Sequence, residues 1–206
     1  MTHQDVFNTI LDLFNNQDIM YVIVRGFMLL PKTPDSDLDI VVKESDYKKV
    51  VTILEKYCNE RKNIGRTYKV ENKDLIYQSY RTKGPHDHNI NNGSFQFDIY
   101  NYSFNFEGNV FYLVNDSFHE YLFDNRIVRD NYYIPSPGAE IILLFFRGYY
   151  DHNCRWQAKH INRIRELYNN KETIEELSNL LKRLDSSTNF KIEQFLEKNI
   201  RKKIII

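Results

Sequence analysis

Residues 35 to 42 read Asp-Ser-Asp-Leu-Asp-Ile-Val-Val. On a strand alternate residues share a face, so Asp37 and Asp39 point the same way with Cα atoms about 7 Å apart, while Leu38, Ile40 and Val42 point oppositely, into a core. Two carboxylates on one face at a strand's start repel each other unless a cation sits between them. Mg²⁺ suits such a place, because it takes a few hard oxygen ligands and leaves room for water and phosphate oxygens; the competing reading is an exposed acidic strand end. A third carboxylate, Asp98, lies in Phe97-Asp98-Ile99, and an acid inside an apolar strand is costly to bury unless it is paired or metal-bound. Three strand-borne acids can hold two metal ions about 3.5 to 4 Å apart, which activate an attacking oxygen and stabilise a leaving phosphate. Gly26 ends an apolar run eleven positions before Asp37. A turn there without a Cβ lets main-chain N–H groups come close to a phosphate.

On these residues the chain resembles the nucleotidyltransferase-fold superfamily related to DNA polymerase beta. Its pattern is an apolar strand, Gly followed by Gly or Ser, nine to thirteen residues, Asp-x-Asp or Asp-x-Glu with apolar neighbours, and a later Asp on another strand. Here Gly26, Phe27, nine residues, Asp37-Leu38-Asp39-Ile40 and Phe97-Asp98-Ile99 fall in that order, and Arg25 precedes the glycine as in small bacterial and viral members. The likeness spans roughly residues 19 to 100.

The resemblance implies a nucleotidyltransferase-type α+β fold. It further implies transfer of a nucleotidyl group from a nucleoside triphosphate such as ATP to a hydroxyl of a small acceptor, a sugar or metabolite, with release of pyrophosphate. Two Mg²⁺ ions are expected, with Mn²⁺ as a substitute. Asp37 and Asp39 would hold the metal that carries the triphosphate; Asp98 would complete the second metal site and lower the pKa of the acceptor hydroxyl. Catalysis would come from positioning and electrostatics rather than from covalent chemistry on the protein. The chain departs from the pattern at Phe27, where a Gly or Ser usually contacts the nucleotide phosphate. That contact is left to Arg25, Ser36 and the main chain at Gly26. Two other readings compete: phosphotransfer of the phosphocholine kind to a surface glycan, and a catalytically silent module of the same fold that binds a partner, such as an antitoxin component. Phe27 favours the silent module and the three intact acids oppose it. No GxxxxGK[ST] stretch is present, which excludes a P-loop NTPase.

The elements that would position these residues are legible in outline. Val6, Phe7, Ile10, Leu11 and Phe14 recur at helical spacing, and Asn15 to Asp18 close that helix. A buried strand at 19–24, a loop carrying Pro31 and Pro34, and a strand over Leu38 to Lys43 follow, with Ser45 expected to cap the next helix. Asn-Gly at 92–93 between 86–90 and 95–99 predicts a hairpin, placing His86 and His88 beside the Asp98 strand either as site residues or as exposed polar ones. Another strand is expected over Asn109 to Val114. From residue 135 the pattern is helical: Ser136 as cap, Pro137 at the first helical position, Glu140 in the first turn, a Thr173/Glu176 capping box ahead of Leu177 to Leu184, a linker at 185–189 and a last helix around Phe195. The chain therefore divides into a nucleotidyltransferase core domain, 1–134, and a helical C-terminal region, 135–206.

Arg147, Asp151, Arg155, Lys159 and Arg163 step by four and would line one helical face if the helix survives Gly148 and Asn153. The stripe is either a solvated face with i,i+4 pairing or a cradle for triphosphate, with Arg147 and Lys159 as nucleotide contacts. Trp156, the single Trp, is a core or interface residue on one reading and a stacking platform on the other.

Composition sets the outer limits. In 206 residues, 28 Lys and Arg balance 28 Asp and Glu, which argues against a protein whose main task is gripping nucleic acid. Fifteen Tyr and 14 Phe exclude a disordered chain. Cys58 and Cys154 have no metal-ligand spacing and read as reduced core thiols. No signal peptide is apparent at the start, and the longest apolar runs fall short of the roughly 20 residues a membrane span needs. The expectation is a soluble, cytoplasmic protein with no membrane span.

Overall fold

The computed structural model describes residues 2–30, 37–61, 65–70, 73–83, 94–102, 104–107, 110–113, 115–152 and 154–201. In chain order the elements are α1 (His3–Asn16), β1 (Tyr21–Arg25), a 3₁₀ turn (Phe27–Leu29), β2 (Leu38–Val42), α2 (Glu44–Tyr57), β3 (Cys58–Glu60), β4 (Arg66–Val70), β5 (Lys73–Thr82), β6 (Gln96–Tyr100), β7 (Phe104–Glu107), β8 (Val110–Leu113), α3 (Asp116–Asp124), β9 (Ile127–Arg129), β10 (Tyr132–Ile134), α4 (Pro137–Phe146), a π turn (Arg147–Asp151), α5 (Ala158–Tyr168), α6 (Lys171–Leu181) and α7 (Ser186–Asn199). This is the expected α+β architecture, a mixed sheet with helices and a helical C-terminal region.

The chain folds into two compact units, Met1–Tyr102 with Arg126–Ile134, and Ser103–Asn125 with Pro135–Ile206. The division expected at 134/135 is one of three crossings between them. Residues 103–125, assigned from sequence to the core domain, belong to the helical unit because Phe118 and Leu122 of α3 are buried in one cluster with Ala139, Ile142, Leu177 and Leu196.

The first unit is built on a six-stranded sheet in the order β1-β2-β6-β5-β3, with β4 also paired to β5. β2 runs parallel to β6 and the other pairings are antiparallel. The two-residue period of the strands separates their faces. Leu38, Ile40 and Val42 of β2 and Phe97 and Ile99 of β6 join Phe7, Ile10 and Phe14 of α1 and Val50 and Leu54 of α2 in one core. Phe7 stacks on Phe95 with ring centroids 4.5 Å apart. With the apolar positions committed to the helices, Asp39, Gln96, Asp98 and Tyr100 are left on the opposite face. β5 is the antiparallel partner of β6, whereas the strand expected at 86–90, with His86 and His88, lies outside the described residues.

Several local expectations give way to competing contacts. The cap of α2 is Lys43, with Ser45 inside the first turn, where Asp46 accepts from the Met20 N–H. The Thr173/Glu176 box does not form: Asn170 caps α6 through the N–H groups of Glu172 and Thr173. Glu176 is engaged elsewhere, accepting from Tyr121 Oη, Ser136 Oγ and the Gly138 N–H at the start of α4. The expected linker at 185–189 is instead the start of α7, where Asp185 accepts from the Thr188 N–H at 2.9 Å. Cys58 is a buried thiol as expected, but Cys154 is exposed.

The run from Arg147 to Arg163 is not one helix. α4 ends at Phe146 and passes into the π turn, Cys154 takes a left-handed φ of 61°, and α5 begins only at Ala158. The basic stripe expected from four-residue spacing is therefore interrupted. Trp156 packs against Phe195, centroids 4.7 Å apart, and lies over Gly148, where a Cβ would fall 1.9 Å from the indole Cδ1.

Candidate active site

The site grows from one irregularity in β1. Residues 21 to 23 pair with 42 to 40, and an unbroken ladder would set Arg25 opposite Leu38; the register shifts between Ile23 and Arg25, so that Arg25 pairs with Asp39. A one-residue slip moves a side chain to the other face of a sheet. Here it turns Arg25 onto the face of the acids, where its Nε lies 2.8 Å from Asp39 Oδ2. Gly26 follows with φ +82°. A Cβ there would stand 2.7 Å from the Asp37 carbonyl oxygen and 3.0 Å from the Leu38 side chain, so the left-handed turn and the close approach to the start of β2 both call for glycine.

The parallel pairing of β2 and β6 sets Asp39 beside Asp98 in register, on strands about 4.8 Å apart. Both residues are 7% exposed. Burial, and next the negative charge of Asp39, push the Asp98 carboxyl up from 3.8 to about 6, with Asp37 adding to the shift and the neighbouring Ser79 and Gln96 opposing it. Asp37 itself precedes β2 and is exposed. The structure thus brings Asp39, Asp98, Arg25 and Gly26 together, with Asp37 near enough to be felt electrostatically. Ser36 lies outside the described residues. Arg147, in the π turn, and Lys159, exposed on α5, belong to the helical unit. Arg147 Nε faces His152 Nε2 at 3.4 Å.

Sequence reasoning missed three residues that hold the acids, Tyr100, Tyr77 and Gln96, and a fourth, Ser79, that stands beside them. Tyr100 Oη donates to Asp39 Oδ1 at 2.8 Å, so with Arg25 on Oδ2 both carboxylate oxygens are engaged. Tyr77, its partner in register on β5, stacks on Tyr100 with centroids 4.9 Å apart. Its phenol is hydrogen-bonded to Asp98. Burial raises the pKa of both phenols, and the neighbouring carboxylates raise it further, so the phenols are held as donors. Ser79 pairs in register with Asp98, and Gln96 Nε2 donates to Asp98 Oδ1 at 3.1 Å and Oδ2 at 3.3 Å. The signal that could have found them is the same period of two: 96, 98 and 100 on one strand, 77 and 79 on the next.

For a divalent cation the donor set fits in chemistry and charge. Two buried carboxylates stand side by side, and Asp98 rises in pKa first because it is buried and then because Asp39 and Asp37 repel its charge. Among the described residues no group of three or more His, Cys, Asp or Glu is gathered as ligands. The site is a carboxylate pair with a third acid at its margin. Mg²⁺ is commonly held in this way, by one or two carboxylates with water and substrate phosphates filling the remaining positions.

A glycine at the end of an apolar strand, Asp-x-Asp at the start of the next and a later Asp on another strand are the features on which the resemblance to the nucleotidyltransferase-fold superfamily rests; the left-handed turn, the parallel pairing and the register of Asp39 with Asp98 are what the structure adds. No family model matches the chain, and no curated protein matches it. Among solved structures the chain is similar to the solution structure of the antibiotic-resistance factor ANT(2'')-Ia, at 12% identity and a TM-score of 0.44, over 87% of this chain and 90% of that one.

Among the described residues no helix is long and apolar enough to cross a membrane.

Proposed function

We propose that the protein is a metal-dependent nucleotidyltransferase that moves a nucleotidyl group from a nucleoside triphosphate to a hydroxyl of a small acceptor and releases pyrophosphate. One observation carries the reading: Asp39 and Asp98 are buried in register on neighbouring parallel strands, with a guanidinium on one side and a glycine turn at the adjoining strand end. Like charges are kept together in low dielectric at a cost, and a site that tolerates them before any ligand binds is organised for a cation and the phosphates it accompanies.

Asp39 and Asp98, with Asp37 at the margin, are the residues that would hold the cation, which supplies charge neutralisation of the phosphates when bound. The chain's own groups do the rest. Arg25 and Tyr100 fix the rotation of the Asp39 carboxylate. Tyr77 and Gln96 fix that of Asp98, which stands as the acceptor of the hydroxyl proton. The main chain at Gly26 is left to contact a phosphate, a role that the Phe27 side chain does not take, since it is buried in the core.

The test is calorimetry of the four nucleoside triphosphates with and without Mg²⁺. Binding of at least one, strengthened tenfold or more by Mg²⁺ in the wild type and no longer so in Asp39→Asn, is the expected result. Failure of every nucleotide to bind would overturn the proposal and favour the silent module or a donor of the phosphocholine kind.

A further inference from the structure

Gln96 stands two residues before Asp98 on the same face of β6 and is 5% exposed. Its amide has one orientation. Oε1 accepts from Arg61 Nη1 and from Arg81 Nη2, the latter at 3.0 Å, while Nε2 donates to Asp98. A flipped amide would set two guanidinium donors against an NH₂ and an oxygen against a carboxylate. Each guanidinium carries five N–H donors and no acceptor. Two of them meeting on one neutral oxygen bring like charges together, and Arg61 is paired with no carboxylate among the described residues. Planar forks of this kind match the oxygens of phosphate and carboxylate.

Position across the sheet separates this pair from Arg25. In strand order the face carries Arg25 on β1, Asp39 on β2, Asp98 on β6 and Arg81 on β5, with Arg61 following β3 and tied by its N–H to the Ser79 carbonyl at 2.8 Å. Arg25 and Arg81 are three strand spacings apart, roughly 14 Å, with the two acids between them. One cationic end adjoins the glycine turn; the other adjoins Asp98.

We infer that Arg61 and Arg81, aligned by Gln96, form an anion subsite that takes a phosphate or carboxylate on the acceptor. The inference rests on the nucleotidyl-transfer reading and deepens it by naming the acceptor's class. Gln96 and Asp98 are one strand repeat apart, so the acceptor is a compact hydroxyl compound whose anionic group lies about 7 Å from the reacting oxygen.

Titration calorimetry on the full chain, with inorganic phosphate as probe, tests this in the presence and absence of a saturating non-hydrolysable ATP analogue and Mg²⁺. Phosphate is expected to bind alongside the analogue, and Arg61→Gln to weaken phosphate tenfold or more while analogue affinity stays within twofold. Phosphate competing with the analogue would assign the subsite to the donor's own phosphates and overturn the acceptor reading; unchanged phosphate binding in Arg61→Gln would overturn the subsite itself. Should Arg61→Gln unfold, Arg61→Lys keeps the charge without the fork and is expected to weaken phosphate threefold or more, with unchanged binding again overturning the inference. A wild type that binds phosphate in an Arg61-dependent way but no nucleotide would sink the nucleotidyl reading alone and leave the anion subsite standing.

Discussion

Replacing Asp98 with Asn is expected to make the metal-free protein more stable, against the usual effect of altering a buried, hydrogen-bonded residue. The Asp98 carboxyl is raised from 3.8 to about 6, first by burial and then by Asp39. A group whose folded pKa exceeds its unfolded value contributes stability that is fully present below the unfolded pKa and lost as pH rises through the folded one. For Asp98 the loss runs from about pH 4 to somewhat above pH 6. Two units at 1.36 kcal/mol each give about 3 kcal/mol of stability missing at neutral pH. Asn removes the charge and keeps an oxygen for the Gln96 amide, at the expense of imperfect replacement of the Tyr77 contact, worth about 1 kcal/mol. The expected net gain is therefore about 1 to 3 kcal/mol at pH 7.5, shrinking toward zero or slightly below at pH 4. Urea denaturation of both proteins between those pH values measures it. Adding Mg²⁺ should stabilise the wild type and leave Asp98→Asn little changed, narrowing the gap. A variant less stable than the wild type at pH 7.5, or a difference that does not vary with pH, would refute the account of Asp98 as a charge held at a cost.

Three further outcomes follow from the same reasoning. Tyr100→Phe removes the donor to Asp39 Oδ1 while keeping the ring that stacks on Tyr77; Mg²⁺ affinity by calorimetry should fall about three- to tenfold, the equivalent of roughly 1 kcal/mol, with stability changed by less than that. Gly148→Ala places a methyl 1.9 Å from the indole Cδ1, so Trp156, the single Trp, must leave its contact with Phe195; its emission should shift to the red, and stability should fall by about 1 to 3 kcal/mol. Arg163→Met strips Glu140, 5% exposed, of its bidentate partner at 2.8 and 2.9 Å. That should cost about 3 to 5 kcal/mol in denaturation experiments, and Glu140→Gln in the same background should restore part of it.

What could be read from sequence was whatever depends on local period. The core faces of β2 and β6, the α1 face and the strand positions of Asp39 and Asp98 all follow from alternation or helical spacing. What could not be read depends on pairing between distant segments. β2 meets β6 only after the chain has made α2, β3, β4 and β5, and the register that sets Asp39 against Asp98 is a property of that meeting. The bulge that turns Arg25 toward Asp39 has no residue signature in Val24. Thr173 and Glu176 carried a correct local motif and lost it to tertiary contacts, since Glu176 at Ser136, Tyr121 and the start of α4 serves three donors where a capping box would serve one. The basic stripe failed differently. Its spacing was helical, but Gly148 admits Trp156 against the backbone, and the left-handed Cys154 separates α4 from α5.

The 28 cations balance the 28 anions over the whole chain. In the structure much of the pairing is closer to home. Arg25 lies on Asp39, Arg163 on Glu140 and Arg201 on Glu193, each within its own unit. On the sheet face the sequence of signs is positive, negative, negative, positive: Arg25, Asp39, Asp98, then Arg81 with Arg61 beyond it. Two adjacent carboxylates flanked by guanidiniums attract a cation at the centre and anions at both ends. With a nucleoside triphosphate and an anionic acceptor as the proposed substrates, every partner but the proposed metal would be negative, and a neutral sum arranged this way suits them. It also makes a specific demand: salt should weaken phosphate binding at the Arg61 end and Mg²⁺ binding at the centre less than it would at an exposed site, because screening acts least where charges are buried together.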